Sequence, residues 1–494
     1  MKSLLTKLER HHLLIFVVLF LTFIFRFPSL FEPFWYGDEG IFAAVGRNLN
    51  FGGVLYQTAW DNKPPMIYLT YAGIFSMFGV SMFWLRLVTI VVVLATSAVI
   101  YEIGNMTIGK HRALIAAFIF GLITSFRLVE GNLALTEIFM ILPISLAIWI
   151  AIKRNFDYVS LFASGVLISV ASLYKQVGAF EAAALGIYVL LQKDSLVGFI
   201  KKGFALSLGF VVPYAITIGY FASKGLVSDY IFGAYTYYKI YLNESPQYAF
   251  LINTAKYLPV VSTVFYGLWK KFKGVDVGYN HLLLLWLSLS LLGSYFSGRT
   301  YGHYLVQAVP ALSLLLASIN LKGVSLSKER LLYATLFLLP VLFLTRLFFS
   351  TFIVNGPVSQ AKYWVNFSQK VTGVKTLDEY NNFFDTNVNT IMALSDFLKM
   401  NGGYGKSIYI WGDFPWLYAM MDAKNPSRYV TSFHVFGVPN GQEEVVRDLV
   451  DKTPLYIIKP QTSIGHFNEL ENLLGAKYTL QAKINNADVY ALIK

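Results

Sequence analysis

The chain has 494 residues, of which 56% are hydrophobic and only 14% charged, where a soluble domain carries about 25% charge. This excludes an ordinary soluble protein and predicts a polytopic α-helical membrane protein with a more polar tail. The formal net charge of +12 does not imply a nucleic-acid partner, because the basic residues crowd into short loops between apolar runs, and the lack of cysteine excludes disulfides and thiolate metal sites.

Lys2, Lys7 and Arg10 precede an apolar run from Leu13 to Phe25. This resembles a signal peptide, but no small-residue cleavage site follows, so an uncleaved first span is expected near 9–29. A long loop comes next. Its segment Phe34-Trp35-Tyr36-Gly37-Asp38-Glu39-Gly40 sets two adjacent acids beside a membrane span, where ionisable groups are costly and usually have a task. Residues 37–50 and 64–79 mix apolar with polar side chains and are expected as helices lying in the interface. Between them, the prolines of Asp61-Asn62-Lys63-Pro64-Pro65 hold Lys63 extended or in a turn and let the next helix open at Pro65.

Further spans are expected near 84–104, 113–128, 133–152, 158–173, 177–192, 203–222, 251–269, 281–297, 304–319 and 331–348, giving about eleven in all. The loops between them alternate. Lys2/Lys7/Arg10, Lys110/Arg112, Lys153/Arg154, Lys193/Lys201/Lys202, Lys270/Lys271/Lys273 and Lys322/Lys328/Arg330 fall at every second turn, which assigns them to the cytoplasm of a plasma-membrane protein. The opposite, external set holds Asp38-Glu39, Asp61 to Lys63, Glu130, Lys175, the loop from Ser223 to Phe250, and Arg299 to His303. An odd number of spans then places the polar tail outside as well.

In that tail, Asp378 to Met400 reads as an amphipathic helix and Lys406-Ser-Ile-Tyr-Ile-Trp-Gly-Asp as a strand ending in a turn. Glu443 to Val450 reads as a helix, and Pro454-Leu-Tyr-Ile-Ile-Lys-Pro as a second strand. The pattern is that of a small external α/β domain, so the expected domains are 1–350 and 351–494.

The external set carries the candidate chemistry. An ionised carboxylate is a competent general base when held next to a hydroxyl or amine. Asp38 and Glu39 cannot both point the same way, and Asp38 as a helix N-cap is the structural alternative. Lys63 suits an anionic phosphate, or is a solvated turn residue. Arg299 offers a planar fork for two phosphate oxygens, and His303 a phosphate contact, a proton shuttle or a metal ligand; a span-end anchor is the plain alternative. Glu130 and Glu137 flank one external turn, with Glu137 expected one to two turns into its span and in need of a partner. Lys175 is a candidate for that partner or for phosphate. The tail contains Asp413, Asp422 and His434, with no compact constellation.

Trp35-Tyr36-Gly37-Asp38-Glu39, then Asp61-Asn62-Lys63-Pro64-Pro65, then Arg299 with His303-Tyr304 resembles the GT-C type membrane glycosyltransferases. The nearest branch comprises the protein O-mannosyltransferases, lipid A aminoarabinose transferases and RgtA/B/C/D-like sugar transferases, and the resemblance covers roughly residues 10–350. It implies a polyprenyl-phosphate-linked sugar as donor, moved with inversion onto an acceptor protein, lipid or glycan at the external face. By position, Asp38 matches the catalytic acid and Glu39 its neighbour. Lys63 matches a donor-phosphate contact, with Arg299, His303 and Lys175 as further ones and Asp61, Glu130, Glu137 and Tyr304 as supporting residues. Asp61 stands where some members hold a metal, so a divalent ion on Asp61, Glu39 or His303 is an option; no other cofactor is implied. The segments Tyr409-Ile-Trp-Gly-Asp413, Ser427-Arg428-Tyr429 and Pro454-Leu-Tyr-Ile-Ile resemble external domains of such enzymes.

Two other classes compete. A transporter or flippase for a lipid-linked saccharide would place ionisable groups near the bilayer midplane, whereas here they crowd at span ends. An assembly protein acting through its tail would need a site there, and the sequence alone displays none.

Overall fold

The computed structural model describes residues 10–242, 253–299, 301–319, 328–350, 356–461 and 465–493. The structure is 71% helical, with one four-stranded sheet among the described residues, and it divides into two compact units that interleave along the sequence. Residues 1–29, 86–220 and 244–361 form the first unit; residues 30–85, 221–243 and 362–494 form the second.

The first unit is a helical bundle. The expected spans overlap helices over their described residues, the start of 251–269 lying outside them, because long apolar runs with few breakers satisfy their backbone in that form. Among the described residues, four helices, Leu13–Phe31, Met82–Thr107, Thr136–Lys153 and Leu196–Ser223, are long and apolar enough to cross a membrane, and five further apolar helices are shorter, one of them, Met66–Phe78, in the second unit. These are the helices of a multi-pass membrane protein. The bundle interior is built from Leu, Ile and Ala around the fully buried Trp286. Small residues set the closest approach. A Cβ on Gly165 would stand 2.2 Å from the Leu206 carbonyl oxygen and one on Gly209 2.0 Å from that of Phe162. Helices Tyr158–Ser172 and Leu196–Ser223 therefore meet backbone to backbone.

In the second unit the segments 37–50 and 64–79 are helical, as Gly37–Asn50 and Met66–Phe78. The tail sheet has the order β1 (Ile408–Ile410), β2 (Tyr456–Pro460), β4 (Ala487–Leu492), β3 (Tyr478–Ile484). The β1–β2 pair is parallel, with Ile408 opposite Tyr456, and its crossover carries the helices Trp416–Met420, Ser432–Gly437 and Gly441–Lys452. β4 runs antiparallel to both β2 and β3. The single helix expected from Asp378 to Met400 is two, Leu377–Asn382 and Val388–Met400. The Thr376–Glu379 capping box closes the first, and Phe384 ends it by bonding back to Asn381.

Candidate functional site

Two groups of chemically active side chains emerge, one in each unit. In the second unit, Asp38 and Glu39 occupy the first turn of helix Gly37–Asn50, where the helix dipole favours carboxylates. The N-cap is Tyr36, without a side-chain capping bond, so Asp38 is not the cap. Glu39 is fully buried, whereas Asp38 is half-buried and has no hydrogen bond or ion pair among the described residues. The turn is held close to the tail by Gly40, whose missing Cβ would stand 2.8 Å from Trp416 Cδ1. Trp416 Nε1 in turn donates to the Tyr36 carbonyl at 2.9 Å.

The Asp61 segment is fixed on every side. Asp61 Oδ1 accepts from the Asn62 N–H at 2.7 Å and Oδ2 from the Tyr68 hydroxyl at 2.7 Å. Lys63 Nζ donates to Asn62 Oδ1 at 2.8 Å, its N–H to Tyr68 Oη, and its carbonyl accepts from the Tyr56 hydroxyl at 2.6 Å. Tyr56 is fully buried with φ 69°, a conformation that costs a bulky residue energy and is tolerated where surroundings over-determine it. Its burial, with Tyr230 and Asp61 nearby, raises the Tyr56 hydroxyl pKa well above its ordinary value.

A tail residue completes this group. His434, buried on helix Ser432–Gly437, places Nε2 3.3 Å from Asp61 Oδ1 and shares a hydrogen bond between Nδ1 and Thr431 Oγ1. Trp60 packs edge-on against the His434 ring at 5.0 Å. Burial pushes the His434 pKa below its ordinary value, assisted by Lys63, and wins over the opposing pull of Asp61, Asp413 and Asp38. A neutral imidazole is thus the form consistent with both the burial and the contact to Asp61. Asp413 is exposed in the turn after β1, where it accepts from the Ser432 hydroxyl. His434 thus lies within reach of the charges of Asp61, Lys63, Asp413 and Asp38. No local pattern in the sequence marked His434: a lone histidine acquires meaning only when the fold sets it against Asp61.

In the first unit, Glu130 Oε2 meets His303 Nδ1 at 2.5 Å. Lys175 Nζ meets Glu137 Oε1 at 2.5 Å and lies over the Tyr304 ring at 3.4 Å. Thr136 donates to the other Glu137 oxygen at 2.8 Å. Lys175 is therefore the partner Glu137 required, and Glu137 stands in the first turn of Thr136–Lys153 rather than deeper. The Glu130 loop is clamped by Arg26, 1% exposed, whose Nη1 and Nη2 donate to the carbonyls of Thr124 and Gly131 at 2.6 and 2.7 Å. Arg299 is half-buried in the loop leading to His303. Tyr68, Trp60 and Arg26 were not singled out in the sequence, because aromatic residues and a span-end arginine are ordinary in a membrane protein.

Among the described residues no three His, Cys, Asp or Glu side chains gather closely enough to hold a metal ion, and both Asp61 oxygens hold hydrogen bonds.

The fold has close counterparts. The crystal structure of ArnT from Cupriavidus metallidurans bound to undecaprenyl phosphate matches with a TM-score of 0.57, at 16% identity over 97% of each chain. The chain shares the fold of that ArnT. The apo form of the same ArnT gives the same TM-score, identity and coverage. The Archaeoglobus fulgidus oligosaccharyltransferase tethered with an acceptor peptide matches at TM-score 0.47 and 10% identity, over 99% of this chain and 74% of that one. The family model described as dolichyl-phosphate-mannose-protein mannosyltransferase matches residues 62–219, beginning at Asn62 of the Asp61–Pro65 segment. No curated protein matches by sequence.

Proposed function

We propose that this chain is a membrane glycosyltransferase that moves a sugar from a polyprenyl-phosphate carrier to an acceptor at the external face of the plasma membrane. The observation that carries the reading is Asp38: a half-buried carboxylate without a hydrogen bond or ion pair among the described residues, in the unit that also holds Lys63. The ArnT structure holds undecaprenyl phosphate, which favours a polyprenyl phosphate as the leaving group.

In this mechanism Asp38 takes the proton of an acceptor hydroxyl. The freed oxygen forms a bond to the anomeric carbon from the face opposite the phosphate. The bond from that carbon to the phosphate oxygen breaks, its electron pair stays on the phosphate, and configuration inverts. Lys63 offsets the negative charge growing on the leaving phosphate. In the other unit Glu130 orients His303, and Arg299 stands in the loop leading to it. Lys175 shares its charge with Glu137, so its part is chiefly to hold that acid, and Tyr304 covers the pair. Glu39 and Asp61 support the backbone around the base and Lys63. The lysine-rich loops and the N-terminus face the cytoplasm, and the α/β tail lies outside and meets the acceptor, whether protein, lipid or glycan.

The test is incubation of purified protein with polyprenyl-phosphate sugars and mass spectrometry of the donors consumed. Asp38→Asn is expected to lower transfer by roughly 100- to 10,000-fold, the usual contribution of a general base, with membrane insertion unchanged. Transfer at the wild-type rate by Asp38→Asn would sink the assignment.

A further inference from the structure

A second site lies in the helical unit, away from every residue used above. A cavity of about 480 Å³ opens between helices Leu258–Phe272, Tyr279–Tyr295, Val309–Ser318 and Lys328–Ser350. Its wall is almost wholly apolar, with Leu284, Leu287, Leu312, Leu316 and Phe337 among its lining residues. That volume is in the range of specific small-ligand pockets.

One end of the cavity is different in character. Tyr266 and Tyr333 both line it, with ring centroids 5.1 Å apart, and Trp269 stacks on Tyr266 at 5.8 Å. Lys270 Nζ lies 5.9 Å from the Tyr266 ring centre, and Lys273 and Lys328 are exposed at the adjoining helix ends. Behind Tyr266 stands His281, 3% exposed, with neither ring nitrogen hydrogen-bonded among the described residues. Amphipathic aromatic rings beside lysines at the mouth of an apolar cleft between membrane helices are the chemistry of an anionic lipid headgroup over its chains.

The expected phosphate contacts Arg299 and His303 lie elsewhere. His281, near the start of helix Tyr279–Tyr295, stands roughly 21 Å along its axis from the end that leads to them. A donor held at Arg299 would not set its phosphate among Lys270, Tyr266 and Tyr333.

We propose that this cavity binds an anionic phospholipid of the surrounding bilayer, chains against Leu287 and Leu312, headgroup at the Tyr266–Trp269–Lys270–Tyr333 rim. The lipid acts as a structural ligand of the four helices, separate from the donor site.

The experiment is native mass spectrometry of the detergent-purified full chain supplied with phosphatidylglycerol or phosphatidylcholine. The wild type is expected to keep phosphatidylglycerol under activation that strips phosphatidylcholine. Ala334→Trp, which fills the cavity, abolishes that retention. Lys270→Gln with Lys273→Gln, a change at the rim that leaves the packed interior intact, weakens it by roughly 10- to 30-fold, the effect of two lysines at a lipid surface. Equal retention of the two lipids, or unchanged retention in the double lysine variant, overturns the proposal. So does displacement of phosphatidylglycerol by an equimolar polyprenyl phosphate, which would make the cavity the donor's own. Because the readout is lipid retention and not sugar transfer, it stands or falls independently of the proposed activity.

Discussion

At the scale of single residues, buried charge decides most of the chemistry. Glu137 and Lys175 are both nearly inaccessible, and each is tolerated because the other is 2.5 Å away. Removing one partner strands the other: Lys175→Met is expected to destabilise by about 3–5 kcal/mol, with much of that recovered when Glu137→Gln is added. Thermal unfolding of the single and double variants in detergent checks this, and equal stability of the two would contradict it. His434 gives a pH dependence whose sign follows from its neighbours. Its folded-state pKa lies below the unfolded value, so the unfolded chain binds the proton more readily. The stability this residue contributes is whole above about pH 6.5 and is lost as pH falls through the folded value, by at most about 1.4 kcal/mol per pH unit. Asp61, Asp413 and Asp38 oppose that loss and Lys63 adds to it. Unfolding scans between pH 7.5 and pH 5, two settings on either side of the ordinary histidine value, should decline less in His434→Asn than in wild type; parallel curves would exclude His434 as the group responsible.

At the scale of elements, close approach matters more than side-chain identity. Helix Gly37–Asn50 presents its acids where it does because Gly40 admits Trp416 and Pro415. Gly40→Val is expected to cost about 1–3 kcal/mol by overpacking and to lower sugar transfer through displacement of Asp38. Comparing its melting temperature and its turnover with Gly37→Ala, where a Cβ meets nothing within 4 Å, separates crowding from helix propensity. The helices were legible in the sequence because an apolar run of that length has one way to satisfy its backbone. β3 and β4 were not: Tyr478–Ile484 buries only its first residue fully, so its polar side chains resemble a loop. The Asp38–Asp61–Lys63 group was legible as two motifs in one loop. His434 and Asp413 were not, since their place depends on a parallel crossover from β1 to β2 that no local spacing encodes.

At the scale of the whole molecule, the chain's order and its compact units differ. Residues 30–85 belong with 221–243 and 362–494, so the long first loop takes its shape from a segment some three hundred residues later. Within that unit the ties are specific. Arg47 pairs with Asp422 at 2.6 Å, the Trp60 N–H donates to the Arg428 carbonyl at 2.8 Å, and Tyr363 donates to Glu32 at 2.6 Å. Arg428 itself donates to the Tyr56 carbonyl at 3.1 Å and is held by Glu444 through a second bond at 2.9 Å. A chain ending at Ala361 loses all of these ties and the His434 contact to Asp61 at once. Its residues 51–65, left with the strained Tyr56 and without the tail that over-determines it, should become rapid sites of proteolysis, while helices of the first unit such as Thr136–Lys153 stay protected. Limited proteolysis in detergent with mass mapping of the first cuts makes the comparison. If residues 51–65 stay protected to the same extent as in the full chain, the loop folds by itself and the tail does not build it. If they are cut early, the tail builds the Asp61–Lys63 segment, and variants such as Arg428→Ala are expected to lower transfer without touching substrate.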